Sequence, residues 1–165
     1  MNKYFEYIKY DLLLHSQGKL FGNDAPKLPQ PNMLMIDRII TIKKYGGYYN
    51  KGYITAELDI NSNMWFFNCH FLGDPIMPGC LILEAMWQLI GFYLSWLGIK
   101  GKGRSVGVDK VKFFRSILPS SKKIYYIIHL RRIVKRKFIF GLADGIIICK
   151  KNLICRANNL KVCIV

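Results

Sequence analysis

The chain predicts an α+β domain in which a curled antiparallel sheet of about six strands wraps one long central apolar helix. Three observations carry that expectation. From Pro75 through Ile99 the only formally charged residue is Glu84. A helix predicted there, from about Gly79 to Leu97, is apolar on nearly every face and must be surrounded rather than laid on a surface. Four β-rich segments follow, at 105–115, 122–134, 137–149 and 153–164, each bounded by turn chemistry. Within the second, Tyr125-Tyr126-Ile127-Ile128-His129-Leu130 is apolar on both strand faces, as in a sheet covered on both sides.

In chain order, residues 4–15 read as a short amphipathic helix, with Phe5, Ile8, Leu12 and Leu13 at helical spacing. A Gly/Pro-rich connector runs from Gly18 to Pro31. The segments Met33–Ile42 and Tyr48–Ile60 are β-rich, and Tyr45-Gly46-Gly47-Tyr48 supplies a turn between them. The loop Asn61–Met77 leads into the long helix. Later turns are marked by Leu118-Pro119-Ser120-Ser121, Val134-Lys135-Arg136-Lys137 and Lys150-Lys151-Asn152. There is no internal repeat and no compositional break, so residues 1–165 form one domain.

Composition excludes several classes. A chain that is 52% hydrophobic and 14% aromatic is not disordered. Twenty-five basic against ten acidic residues give a net charge of +15, which favours an acidic partner without choosing among nucleic acid, anionic lipid and an acidic protein. Five cysteines (69, 80, 149, 155, 163) show no C-x-x-C and no zinc-ligand spacing. They read as reduced thiols packed as small hydrophobes in a cytoplasmic protein without metal or cofactor. The first residues are too interrupted by charge for a signal peptide. The apolar run after Pro78 approaches membrane length, but it holds Glu84 and Gln88 and ends in Gly98-Ile99-Lys100-Gly101-Lys102-Gly103-Arg104. It reads as a core helix, not a membrane span.

The chemistry concentrates between Cys69 and Gln88. His70 lies in a Gly/Pro-rich loop, and Glu84 is a carboxylate in an apolar setting, where it must be paired, hydrogen-bonded or neutralised. An imidazole and such a carboxyl group are the minimal kit for proton transfer. Gln88 follows Glu84 by one helical turn on the same face and is placed to hold it. Gly79, at the start of the helix, lacks a Cβ and can bring its backbone N–H to a developing oxyanion.

His70-Phe71-x-Gly73-Asp74-Pro75-x-Met77-Pro78-Gly79, followed by Leu81-x-Leu83-Glu84-Ala85-Met86-x-Gln88, resembles the β-hydroxyacyl-acyl-carrier-protein dehydratases of bacterial fatty acid synthesis. Leu20-Phe21-Gly22, Pro31-Asn32-Met33-Leu34-Met35-Ile36-Asp37-Arg38, Trp65-Phe66-Phe67, Trp87 through Leu94 and Gly141-Leu142-Ala143-Asp144-Gly145 extend the likeness over nearly the whole chain, to the bifunctional dehydratase/isomerase branch. The resemblance implies a hot-dog fold and a homodimer with two active sites shared across its interface. It assigns His70 as the base and Glu84, from the partner subunit, as the acid on the hydroxyl side. It gives the Ile76 carbonyl as the partner of the second His70 nitrogen, and a cis peptide between His70 and Phe71. The implied reaction is loss of water from a (3R)-3-hydroxyacyl thioester of acyl carrier protein, with migration of the double bond from trans-2 to cis-3 in the ten-carbon enoyl product. Glu84 departs from the bifunctional branch, which carries Asp there, and matches the dehydratase-only branch. Dehydration without isomerisation, a hot-dog thioesterase and a non-catalytic acyl-carrier binding module are the competing readings.

Each site residue has a plainer reading. Cys80 near a helix start is either a nucleophile or, more simply, a small packed thiol lining the site. Asp74 before Pro75 reads as a turn residue, and His15 and His129 as structural or solvent-facing. The basic cluster Arg131, Arg132, Lys135, Arg136 and Lys137 is a solvated hairpin, a nucleic-acid patch or a dock for the acidic carrier protein. Phe113, Phe114 and Phe138 near it alternate as strand core would, which argues against nucleic acid. The dehydratase likeness places the carrier dock on Arg132, Arg136, Lys137 and Lys161.

Overall fold

The long helix forms over Gly79–Trp96 (α2) and is enclosed as its composition demands. Met86, Leu89, Ile90, Phe92, Tyr93 and Leu94 are buried to 1% exposure or less. It stops at Gly98, whose φ of +80° closes the end with bonds from Gly98 N–H to Ser95 O and from Ile99 N–H to Leu94 O. The computed structural model describes residues 6–165.

Around α2 runs one antiparallel sheet of seven strands, β1 (Arg38–Lys43), β2 (Tyr53–Asp59), β3 (Gly103–Gly107), β4 (Lys110–Phe113), β5 (Lys123–Lys135), β6 (Ile139–Cys149) and β7 (Asn152–Ile164). Its order is β1-β2-β5-β6-β7-β3, with β4 also paired to β7. The sheet curls over the helix without closing, so among the described residues β3 remains an open edge, while β1 is bridged at Ile39 by Tyr7. Its inner face supplies Ile124, Tyr126, Ile128, Leu130, Ala143, Ile147, Ala157 and Leu160 to the core. Gly145 lets β6 approach the helix closely, because a Cβ there would sit 2.8 Å from the Met86 sulfur.

Five expectations are corrected. The first helix spans Lys9–Ser16 (α1), not 4–15, and Phe5 lies outside the described residues. Residues 33–37 are not strand. The Gln88 side chain takes the Met33 carbonyl and the Met35 N–H, so those backbone groups bond to the helix rather than to a neighbouring strand. The segment 105–115 is two strands, broken where the Asp109 carboxylate accepts bonds from the side chains of Asn159 and Lys161. Residues 48–52 belong to the β1–β2 turn, where Gly46 and Gly47 take φ of +85° and +75°. The outer sheet face is also not covered as 125–130 suggests. Tyr125 and Ile127 stay partly exposed there, whereas Tyr48 stacks on His129 at 3.7 Å and buries it. No helix among the described residues is long and apolar enough to cross a membrane.

Candidate active site

His70 follows a short 3-10 turn, Trp65–Asn68, whose Phe66 and Phe67 anchor the loop in the core. Its backbone N–H donates to Phe66 O at 2.9 Å. Ile76 clamps it from the other side. The Ile76 N–H donates to His70 O at 2.8 Å, and the His70 Nδ1 lies 3.0 Å from Ile76 O. A carbonyl only accepts, so Nδ1 carries the hydrogen, and in the neutral imidazole Nε2 carries the lone pair. The His70–Phe71 peptide is cis, as the resemblance implies, and so is Pro31–Asn32, which was not anticipated. The Phe71 ring stacks on the imidazole at 3.8 Å. Asp74 turns the loop through its backbone, exchanging N–H···O bonds with Phe71 at 3.0 and 3.1 Å.

Gly79 is the first residue of α2, after Pro78 at the cap. A Cβ at this position would lie 2.8 Å from a ring carbon of Phe113, so a larger residue here would need the exposed β4 phenylalanine to move. The N–H groups of the first helical turn point out of the helix end and form the positive pole of its dipole.

Glu84 is half-buried rather than sealed in the core. Its Oε1 accepts a 3.0 Å bond from Gln88 Nε2. Gln88 itself is fixed at three points, since Nε2 also donates to Met33 O at 2.7 Å and Oε1 accepts from Met35 N–H at 3.0 Å. Glu84, Trp87, Gln88 and Gly91 line an open cavity of about 210 Å³ between α2 and β3, whose lining also includes Lys27 and Arg104. Those two cations, distant in sequence, are the neighbours that reading along the chain overlooked. None of them is within ion-pair distance of Glu84 among the described residues.

Within one chain His70 and Glu84 do not meet. His70 does not line the Glu84 cavity, and no hydrogen bond joins the two. Cys80 is exposed beside Gly79, not packed, and Cys69 is exposed next to His70, while Cys149, Cys155 and Cys163 are buried as small hydrophobes. His15 and His129 are both buried and structural.

The basic residues form an ordered row. Arg132 of β5 pairs with Leu142 of β6, which pairs with Lys161 of β7, which pairs with Gly107 of β3. Gly107 O accepts a 3.4 Å bond from the Trp87 indole, so this row ends above the Glu84 cavity. Arg136 and Lys137 lie further along the chain, at the exposed β5–β6 turn. Lys161 is ion-paired with Asp109, whose carboxyl group is held below its usual range by hydrogen bonds from Asn159 and Lys161.

The FabA-like domain family matches residues 28–158, and the chain belongs to it. Its chemistry is therefore of the dehydratase type. Among solved structures it is similar to the dehydratase heterocomplex ApeI:P from Xenorhabdus doucetiae, at 15% identity and TM-score 0.62 over 82% of this chain and 86% of that one. It is similar to Cj0977, a sigma28-regulated virulence protein from Campylobacter jejuni, at 13% identity and TM-score 0.57 over 100% of this chain and 96% of that one. A mutant thioesterase PA1618 from Pseudomonas aeruginosa is similar at 13% identity and TM-score 0.52, over 78% and 80%. At these identities the structures show a shared hot-dog fold.

Proposed function

We propose that the protein dehydrates (3R)-3-hydroxyacyl thioesters of acyl carrier protein, as a homodimer whose two sites each combine His70 of one subunit with Glu84 of the other. The observation that carries this is the split itself. Each half-site is complete in its own hydrogen bonds, yet the imidazole and the carboxyl group face different spaces within one chain. The surface between them is of the kind a second copy covers. Among the described residues the outer edge of β3 has no strand beside it, and Val106, Phe113, Phe71 and Leu72 are exposed to 52, 49, 52 and 100%.

In this reading His70 Nε2 takes a proton from C2 of the substrate, and the C2 electron pair becomes the C2=C3 double bond. The C3–O bond breaks, and the hydroxyl leaves as water with a proton from Glu84. Charge building on the thioester oxygen is met by the Gly79 N–H at the positive end of α2. Isomerisation uses the same two groups, moving a proton off C4 and returning one to C2. The acidic carrier protein docks on Arg132, Arg136 and Lys137, with Lys161 weakened by Asp109.

The test is 3-hydroxydecanoyl carrier protein, following absorbance of the conjugated enoyl thioester beside a titration of free thiol. Enoyl product without thiol is expected. Thiol release would instead support hydrolysis, the activity that the thioesterase neighbour's name carries, and neither signal would leave a binding module. Incubation with trans-2-decenoyl carrier protein tests the second activity, and absence of the cis-3 product removes it.

A further inference from the structure

Gly91 is a glycine without a local reason. It lies inside α2, where glycine is the poorest helix former after proline. Its φ is not positive, and a Cβ built on it would meet nothing within 4 Å. A Cβ at Gly79 or Gly145 would meet a neighbouring side chain at 2.8 Å, but among the described residues nothing outside the helix's own backbone comes that near Gly91. The empty space beside it is the cavity that begins at Glu84. Glu84, Trp87, Gln88 and Gly91 succeed one another along one face of the helix.

We infer that Gly91 sets the length of acyl chain the site accepts, by leaving the far end of this cavity open. The inference rests on the dehydratase reading, which puts C3 of the substrate at Glu84. Two helical turns separate Glu84 from Gly91, roughly 10 Å at 1.5 Å per residue. An extended methylene chain of ~1.5 Å bonds advances roughly 1.3 Å per carbon, so about seven or eight carbons beyond C3 reach Gly91. That corresponds to a substrate of ten or eleven carbons.

The test compares 3-hydroxybutanoyl and 3-hydroxydecanoyl carrier protein on the wild type, Gly91→Ala and Gly91→Leu. For Gly91→Leu the ratio of kcat/KM for the ten-carbon over the four-carbon substrate is expected to fall roughly 100-fold, as a bulky group fills the chain's end position. Gly91→Ala is expected to lower the same ratio several-fold while raising Tm by about 2–4 °C, since alanine favours the helix and meets no neighbour. A ratio that moves less than threefold in both variants overturns the inference. So does a fall in Tm for Gly91→Ala, or dissociation of the Leu variant on sizing, because either shows that the space belongs to packing between subunits. Failure of the wild type on both substrates is a separate result, which removes the dehydratase reading itself.

Discussion

Two glutamates divide this molecule. Glu57, in β2, is completely buried and accepts bonds from Arg38 Nε at 2.6 Å and Lys123 Nζ at 2.8 Å. Glu84, in α2, is half-exposed to a cavity and is held by the Gln88 amide. The first carboxylate has its charge matched by two cations and has nothing left to offer a substrate. The second is oriented but not neutralised by its neighbours, so its proton chemistry stays available. Burial alone therefore does not mark an active group. What marks it is a fixed position combined with an unused valence.

Glu84→Gln is expected to lower kcat by roughly 10³-fold with little change in unfolding midpoint, because the amide keeps the packing and loses the acid. Glu57→Gln is expected to do the reverse. Arg38 and Lys123 would keep Asp59 but lose the buried carboxylate they share, which should cost about 3 kcal/mol in urea unfolding, with the folded fraction retaining its turnover. A loss of stability in the Glu84 variant comparable to that of the Glu57 variant would erase the distinction.

Two histidines repeat the contrast. His15 uses both nitrogens, with Nδ1 accepting from Leu28 N–H at 3.2 Å and Nε2 donating to Ser95 Oγ at 2.9 Å. Burial lowers its pKa to about 4. The unfolded chain takes up this proton near pH 6.5 and the folded chain only near 4. Its contribution is therefore complete above pH 6.5 and falls away as the pH drops towards 4, on the order of 3 kcal/mol in total. Unfolding midpoints of the wild type and His15→Gln at pH 7.5 and 4.5 check this, and the variant should show the shallower slope. His70, by contrast, spends one nitrogen on Ile76 and keeps the other, so His70→Asn should abolish turnover while leaving that slope in place.

Much of this was legible in the residues, and the limits have physical causes. The enclosed helix could be read from a run of apolar residues too uniform for a surface, and the late strands from their turn residues. Residues 33–37 misled because their apolar pattern is that of a strand, whereas their hydrogen bonds go to a side chain some fifty residues later. Periodicity carries no record of such a partner. His70, Gly79 and Gln88 could be placed from the motif, and Gln88 acts as expected. Phe113 against Gly79 and the presence of Lys27 and Arg104 in the cavity lining could not, since β4 and β3 bring Phe113 and Arg104 to α2 from later in the chain and the connector before β1 brings Lys27. Glu84 seemed the buried charge because its neighbours in sequence are apolar. Glu57 is the more buried, and it lay hidden among the alternating polar residues of β2.

The basic row offers the smallest expected effect and the same logic. Lys161 is already paired with Asp109, whereas Arg132, Arg136 and Lys137 have no ion pair among the described residues. Charges at an exposed edge steer encounter more than they hold the complex, so their effect should appear in KM and fade with salt. Arg132→Glu combined with Arg136→Glu is expected to raise KM for the carrier-protein substrate roughly tenfold at low ionic strength, with kcat unaltered, and to converge on the wild type near 0.5 M salt. Lys161→Glu alone should do less, because its carboxylate neighbour already offsets the charge. A short thioester lacking the carrier protein should register none of these changes. If Lys161→Glu matches the double arginine variant, pairing in the structure does not decide which charges are free to dock, and the comparison drawn between the two glutamates does not extend to the surface.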